Sequence, residues 1–436
     1  MGLGILLQWR TGGLLALALG LRVVLAPFPG FVGDANGMVQ YARVTAQQGL
    51  FAVSNIRTPE LWPAGYVYHA WLAGKMLDGR LRDSRTVPFG ETTAGERLGV
   101  RVFPILYDVA IGGLLLIVVG RLVSPTAGLW GAAIYLFNPG TVVNAALWNY
   151  DSMASFFVLV AVVFAGAGLR DGRTVMWALA GAAAGLGFCA KLQAGEVAPV
   201  LGLMALLSGR GRALFGSAIA FVIVTAAAYA PFLAGQQWIY LRRVFVDSFQ
   251  SYPFTHVNSY NLWGLWFQMP VDHRLAGITL ESIGRLLYLG ALAWLAWQMA
   301  RQRTVQTGSS AAFSRAAIVS AYACLAPFIL LTRMHERYLA PAVALCVLCG
   351  MLDRRLRFFM WGISATYALN LLAVLTQTCW HPAGSARMVW TIHAGFCGVR
   401  LVCSLLNVGL VVWLAWRLPR LLSEPAAEVS PSATFG

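Results

Sequence analysis

The sequence predicts an all-α polytopic membrane protein, and two observations carry that reading. Of its 436 residues, 58% are hydrophobic and only 11% charged, against roughly 25% charged in a soluble domain. Window after window holds close to ~20 apolar residues, the length a helix needs to cross ~30 Å of hydrocarbon. Lipid offers backbone groups no water, so such segments must be helices that satisfy their own hydrogen bonds. Alternating, barrel-type strands are absent from the sequence.

About twelve spans follow, near 9–28, 101–121, 127–147, 151–169, 174–190, 193–208, 213–234, 281–300, 312–331, 338–352, 358–378 and 391–416. Residues 1–436 then form a single transmembrane domain with two long outer segments, 30–100 and 235–280. The tail 423–436 reads as disordered and cytoplasmic. The first apolar run lacks a small-residue cleavage site and reads as a retained helix.

Orientation turns on Leu61–Leu77, which is apolar but short and interrupted by Pro63, Gly65, His69, Gly74 and Lys75. If it lies in the interface, Arg10, Arg121, Arg170, Arg173, Arg210, Arg212, Arg301, Arg303, Arg354, Arg355, Arg357, Arg417 and Arg420 all face the cytoplasm. The short outer connections then keep only Lys191, Arg333, Arg337 and Arg387. If it spans, that bias inverts. Moving arginine across lipid costs several kcal/mol, so the bias reports insertion, and Leu61–Leu77 is read as interfacial.

The net charge of +15 is accounted for by these loop arginines, which excludes a nucleic-acid partner. Cys189, Cys324, Cys346, Cys349 and Cys403 lie in or beside apolar helices without metal-site spacing. Cys379 and Cys397 lie near a non-cytoplasmic end, where a disulfide is left open.

With this topology the polar clusters gather on the outer side. Asp34 follows the first span, ahead of a half-polar surface helix over 35–52 containing Tyr41, Arg43 and Gln47; it is either that helix's N-cap or a site carboxylate at headgroup level. Asn144, Trp148, Asn149, Tyr150 and Asp151 make the next outer turn, with a cap and an aromatic belt as the plain alternatives. Lys191, Gln193 and Glu196 form an outer corner; Lys191 either snorkels or offers a cation to an anion. His256, Asn258, Asn261 and Trp263 lie in an aromatic, amide-rich stretch suited equally to a sugar ring or to lipid headgroups. Last, Arg333-Met334-His335-Glu336-Arg337-Tyr338 defies the positive-inside trend. It is either an internal Glu336–arginine pair or a clamp for a phosphate.

Met334-His335-Glu336-Arg337-Tyr338 resembles the MHERY signature of mannosyltransferase-like proteins related to the GPI-anchor second mannosyltransferase, in the GT-C membrane glycosyltransferase superfamily. Asn258-Ser259-Tyr260-Asn261-Leu262-Trp263 resembles that family's N-x-x-N-L-W stretch, and Lys191-Leu192-Gln193 its K-x-Q element. Asp34 matches the first-loop aspartate. Pro63-Ala64-Gly65-Tyr66 and Arg101-Val102-Phe103-Pro104 resemble further family segments. Trp148-Asn149-Tyr150-Asp151-Ser152 resembles a W-G-Q-x-D element without its Gly-Gln pair. The resemblance covers about residues 9–350 and implies a GT-C-like bundle whose first outer loop carries interfacial helices.

It also implies inverting transfer of a hexose such as mannose from a polyprenyl- or dolichyl-phosphate donor to a glycan, lipid or protein acceptor. Asp34 would be the base; Lys191, Arg333, His335 and Arg337 would hold the donor phosphate. Asn149, Asp151, Gln193, His256, Asn258, Asn261, Trp263 and Glu336 would contact sugar or acceptor. No metal ligand set is visible in the sequence, and a divalent metal is left open. The setting would be a bacterial plasma membrane or the endoplasmic reticulum, with the site facing periplasm or lumen. The alternative is a secondary transporter or a flippase for lipid-linked sugars. Such a protein needs ionisable residues inside the spans, for which Asp108 is the main acidic candidate.

Overall fold

The computed structural model describes residues 2–56, 61–88, 90–266, 268–302, 309–380 and 397–424. Helices run through nearly all of it: α1 Gly2–Leu25, α2 Val32–Gln48, α3 Ala64–Met76, α4 Ala94–Leu122, α5 Pro125–Leu136, α6 Pro139–Val143, α7 Asp151–Asp171 and α8 Thr174–Ala190. They continue as α9 Val197–Leu207, α10 Gly211–Ala234, α11 Trp238–Phe245, α12 Leu280–Arg301, α13 Ser309–Leu330, α14 Ala340–Leu352, α15 Arg357–Trp380 and α16 Cys397–Ser423. Among the described residues the predicted spans fall largely on helix. Among the described residues, 6 helices are long and apolar enough to cross a membrane, and several other predicted spans are short or broken.

The break in 127–147 has a local cause. Asn138 accepts a hydrogen bond from the Gly140 amide at 2.8 Å, and Pro139 cannot continue the preceding helix. A π-helical turn, Asn144–Trp148, then delivers the chain to α7. In the other direction α4 starts earlier than predicted, because Thr93 and Glu96 form a capping box, each side chain bonded to the other's amide (3.2 and 2.8 Å).

The segment that decided orientation, Leu61–Leu77, is the 13-residue helix α3. At 1.5 Å per residue it is only ~20 Å long, too short to span. It packs on α2 so closely that a Cβ on Gly74 would lie 2.5 Å from the Ala42 carbonyl oxygen. Helix α2 ends at Gln48 rather than 52, and more of it is buried than a surface helix would be, including Tyr41, Arg43 and Thr45. Arg43 is consumed structurally: its Nε and Nη2 each donate to the Glu96 carboxylate at 2.8 Å, tying α2 to α4.

Helices α13 and α14 are the centre of the bundle, packed on each other and on α7. Within the spanning windows, 89% of the α13 residues are buried against 17% for α10, which places α10 at the periphery. Two residue pairs form a parallel bridge from β1, His256–Val257, to β4, Met334–His335, so the loop 235–280 lies on the 333–338 corner. A hairpin of β2, Arg274–Leu275, and β3, Ile278–Thr279, completes the strands among the described residues. The cysteines at 189, 324, 346, 349 and 403 are buried and free. The Cys379–Cys397 pairing, Arg387 and nearly all of the tail fall outside the described residues and side chains.

Asp108, the acid that would have served a transporter, is neutralised in place. Arg22 Nε donates to its Oδ2 at 2.7 Å and Tyr135 to its Oδ1 at 2.8 Å, while Arg22 Nη1 and Nη2 bond the Ala18 and Leu136 carbonyls. The pair holds α1 to α4. Arg22→Leu should destabilise by about 3–5 kcal/mol by stranding a buried carboxylate. Arg22→Leu combined with Asp108→Leu should recover most of the loss in melting temperature; a double variant no better than the single would show that the pair is not the cause.

Candidate active site

Asp34 is placed by a set of contacts remote in sequence. The chain leaving α1 is pinned by the buried Arg101 guanidinium, which donates to the carbonyls of Ala26 (2.7 Å), Phe28 (2.6 Å), Pro29 (2.9 Å) and Leu147 (3.1 Å). Gly30 then turns with φ +61°, where a Cβ would fall 2.0 Å from the Leu147 oxygen, so only glycine fits. The Phe31 amide donates to that same oxygen at 3.0 Å, and its ring stacks on Trp148 at 4.8 Å. Helix α2 begins at once. Its N-cap position is Phe31, without a side-chain bond, and Asp34 stands in the first turn. The capping explanation for Asp34 therefore fails, and its carboxylate faces the interior instead.

Asp151 is likewise the first residue of α7 and not its cap; Tyr150 holds that position without a side-chain bond. The neighbouring Asn149 spends its Oδ1 on the Tyr150 amide at 2.8 Å. Lys191 ends α8, and its Nζ donates to Asp151 Oδ1 while lying 4.3 Å above the Tyr338 ring. A snorkelling lysine would point to water; this one is buried and points at a carboxylate.

The guanidinium of Arg337 joins the set. Its Nη1 is 2.9 Å from Glu336 Oε1 and 3.4 Å from Asp34 Oδ2, and its Nε is 3.7 Å from Asp151 Oδ2. The internal Glu336–Arg337 pair thus exists, yet the same cation reaches two further carboxylates from other helices. Three acids and two cations, all buried except the partly buried Asp34, share one locus at the end of the bundle that carries both long loops. Around them Asp34 Oδ2, Asp151 Oδ2, Arg337 Nε and His335 Nε2 are buried without a hydrogen-bond partner among the described residues. Orphaned buried polar atoms are costly, and their concentration at one place points to ligand atoms that would satisfy them.

Burial governs the local acid–base balance. It pushes the Asp34 carboxyl above the ordinary aspartate range, against the pull of the Arg337 charge. Glu336 is raised for the same reason, and the Lys191 ammonium is lowered by burial against the attraction of Asp151. Burial, joined by the positive fields of Arg337 and Lys191, holds the His335 imidazole well below its usual value. An imidazole held that way favours its neutral form, in which it would meet a phosphate as a hydrogen-bond donor.

A cavity of about 50 Å³ opens beside Lys191 and Arg337, lined also by Trp62, Asn149, Tyr150 and Gln193. It has room for a few water molecules. Trp62 and Tyr150 (centroids 5.1 Å) and Tyr66 and Tyr150 (4.0 Å) form an aromatic wall there. Arg101, Trp62, Tyr66 and Tyr338 were not among the predicted site residues; Arg101, Tyr66 and Tyr338 lie inside quoted motifs and Trp62 immediately precedes one, which was the available signal.

Other predicted residues lie elsewhere or have other occupations. Arg333 turns away: with φ +64°, its guanidinium bonds the Gln250 and Ser251 carbonyls and meets Glu281 Oε2 at 3.3 Å. Asn261 uses both polar atoms internally, Nδ2 on the Phe328 carbonyl at 3.0 Å and Oδ1 on the Trp263 and Gly264 amides at 3.1 Å. Trp263 donates its indole N–H to the Leu330 carbonyl at 2.9 Å, and the Asn258 carbonyl accepts from Asn370 at 2.8 Å. These residues staple the second loop to α13 and α15. His256 is fully buried beside the 333–338 corner, in β1. No group of three or more His, Cys, Asp or Glu suited to a metal ion occurs among the described residues.

Residues 93–238 match the family described as dolichyl-phosphate-mannose-protein mannosyltransferase, about a third of the chain. Among solved structures the chain is similar to ArnT from Cupriavidus metallidurans bound to undecaprenyl phosphate, with a TM-score of 0.51 and 15% identity over 93% of this chain and 77% of that one. The fold is of the GT-C type. Apo ArnT from the same organism gives 0.49 at 16% identity over 94% and 76% of the two chains. The apo oligosaccharyltransferase of Archaeoglobus fulgidus gives 0.43 at 12% over 96% and 57%. A comparison with curated proteins finds no match. Within this GT-C fold the 93–238 match takes in Arg101, Asp151 and Lys191, whereas Asp34 and Arg337 lie on either side of it. The cluster therefore draws on more of the chain than the family match covers.

Proposed function

We propose that the chain is a membrane glycosyltransferase that moves a hexose such as mannose from a polyprenyl- or dolichyl-phosphate donor to an acceptor hydroxyl. The observation that carries this reading is the Arg337 guanidinium set among Asp34, Asp151 and Glu336, with Lys191 beside them. A base and two cations at one site meet the demands of displacing a phosphate from an anomeric carbon. The family match over 93–238 supports a lipid-phosphate sugar donor.

In this mechanism the acceptor oxygen attacks the anomeric carbon opposite the phosphate, in a single displacement that inverts it. The bond from carbon to phosphate oxygen breaks, its electron pair leaves with the lipid phosphate, and the hydroxyl proton passes to Asp34. A base whose affinity for protons is raised toward the operating pH is well matched to that task. Arg337 and Lys191 stabilise the growing charge on the leaving phosphate from fixed, largely water-free positions. The aromatic wall of Trp62 and Tyr150 gives a sugar face to pack on. The bias of the loop arginines supports a site on the periplasmic or lumenal face.

The test is incubation of the purified protein with radiolabelled hexosyl polyprenyl phosphates. Release of polyprenyl phosphate with transfer of label, stereochemically inverted, is the expected result. If no hexosyl donor is consumed while the protein remains folded, the transferase reading falls.

A further inference from the structure

Arg333 belongs to a second cavity, of about 570 Å³, within the ~300–1,000 Å³ usual for ligand sites. Arg333, Arg285 and Glu281 line one part of it; Phe245, Val246 and Phe249 line another. Arg285 Nη2 is 2.6 Å from Glu281 Oε1, and Arg333 Nη2 is 3.3 Å from Glu281 Oε2. Two guanidiniums thus share one carboxylate, and the three together carry a charge of +1. Glu281 and Arg285 sit at the start of α12, whose exposed Leu286 and Leu289 continue into the apolar length of that helix. Phe245, Val246 and Phe249 are exposed as well. A cationic cavity at the start of a long helix with an exposed apolar face, bordered by exposed apolar side chains, is complementary to a molecule with an anion at one end and hydrocarbon at the other.

We propose that this cavity binds the phosphate headgroup of an acidic membrane lipid, with the acyl chains following Leu286 and Leu289. A free anion would satisfy only the charged half; the phenylalanines and leucines decide for the lipid. The site uses none of the residues given a role in the transfer mechanism above, Arg333 having turned away from Arg337, so it stands whether or not that reading holds.

The experiment is lipid binding to the full chain in zwitterionic phosphatidylcholine nanodiscs, measured as phosphatidylglycerol is introduced. Arg285→Gln, whose side chain contacts Glu281 at an exposed position, should weaken phosphatidylglycerol binding about five-fold, the share of one interfacial arginine. Phe249→Ser should weaken lipid binding too. Arg333→Gln should act like Arg285→Gln, but it frees two loop carbonyls, so it is scored only if the melting temperature holds; Arg285→Gln is free of that burden. Undiminished phosphatidylglycerol binding in Arg285→Gln overturns the proposal. So does equal occupancy by inorganic phosphate alone, which would identify a site for a free anion.

Discussion

Asp34→Asn is expected to slow sugar transfer by ~10²–10⁴, the usual worth of a positioned general base. The substitution keeps the side chain's shape while removing its ability to accept the hydroxyl proton. It should not unfold the protein, and the sign of the linkage shows why. Burial raises the Asp34 carboxyl above its unfolded value, so its favourable contribution is complete below the unfolded pKa and is lost as pH rises through the folded one. Above that folded pKa the wild type therefore carries a buried charge that the asparagine variant lacks. Arg337 still keeps Glu336 and Asp151 as partners in that variant. Melting temperature should hold or rise, most at the alkaline end, as turnover disappears. Full turnover in Asp34→Asn would remove Asp34 as the base.

The second large effect is at Arg337. Alanine there should cost ~10²–10³ in kcat/KM, the measured scale for losing one preorganised stabilising group, and Arg337→Lys should recover only part of it. A point charge cannot reproduce a planar guanidinium that meets Asp34, Asp151 and Glu336 together. A role in the pH profile separates this from simple damage. The Arg337 charge is what opposes the burial of Asp34, so its removal raises the Asp34 carboxyl further. The acid limb of the rate, already above the ordinary aspartate range, should move to still higher pH in Arg337→Ala. Stability should fall by about 3–5 kcal/mol where the stranded carboxylates are ionised, and less in acid, where they protonate. An unshifted acid limb in a folded, slowed variant would detach Arg337 from Asp34.

Several assignments rested on local chemistry with two equal outcomes. Asp34 and Asp151 both precede or begin helices, where an aspartate normally caps, and only the position of the true caps, Phe31 and Tyr150, distinguishes the two roles. Lys191 beside a membrane could have reached water as easily as Asp151. Arg333 and Arg337 share one short motif, yet a left-handed turn at Arg333 sends the two guanidiniums into different cavities. Asn261 and Trp263 look like sugar ligands in a string of letters because amides and indoles serve carbonyls and hydroxyls alike. Their bonds to Phe328 and Leu330 depend on where α13 ends in space.

What the sequence determined unaided was the class of fold and the succession of apolar helices that builds it. Those follow from hydrophobic length, which is a property of single segments meeting lipid. What only the tertiary structure decided was which polar groups touch. Arg101 pinning the loop ahead of Asp34, and Arg337 closing on three carboxylates, join residues from distant helices. Such contacts arise from how the helices pack, and no single segment contains that information.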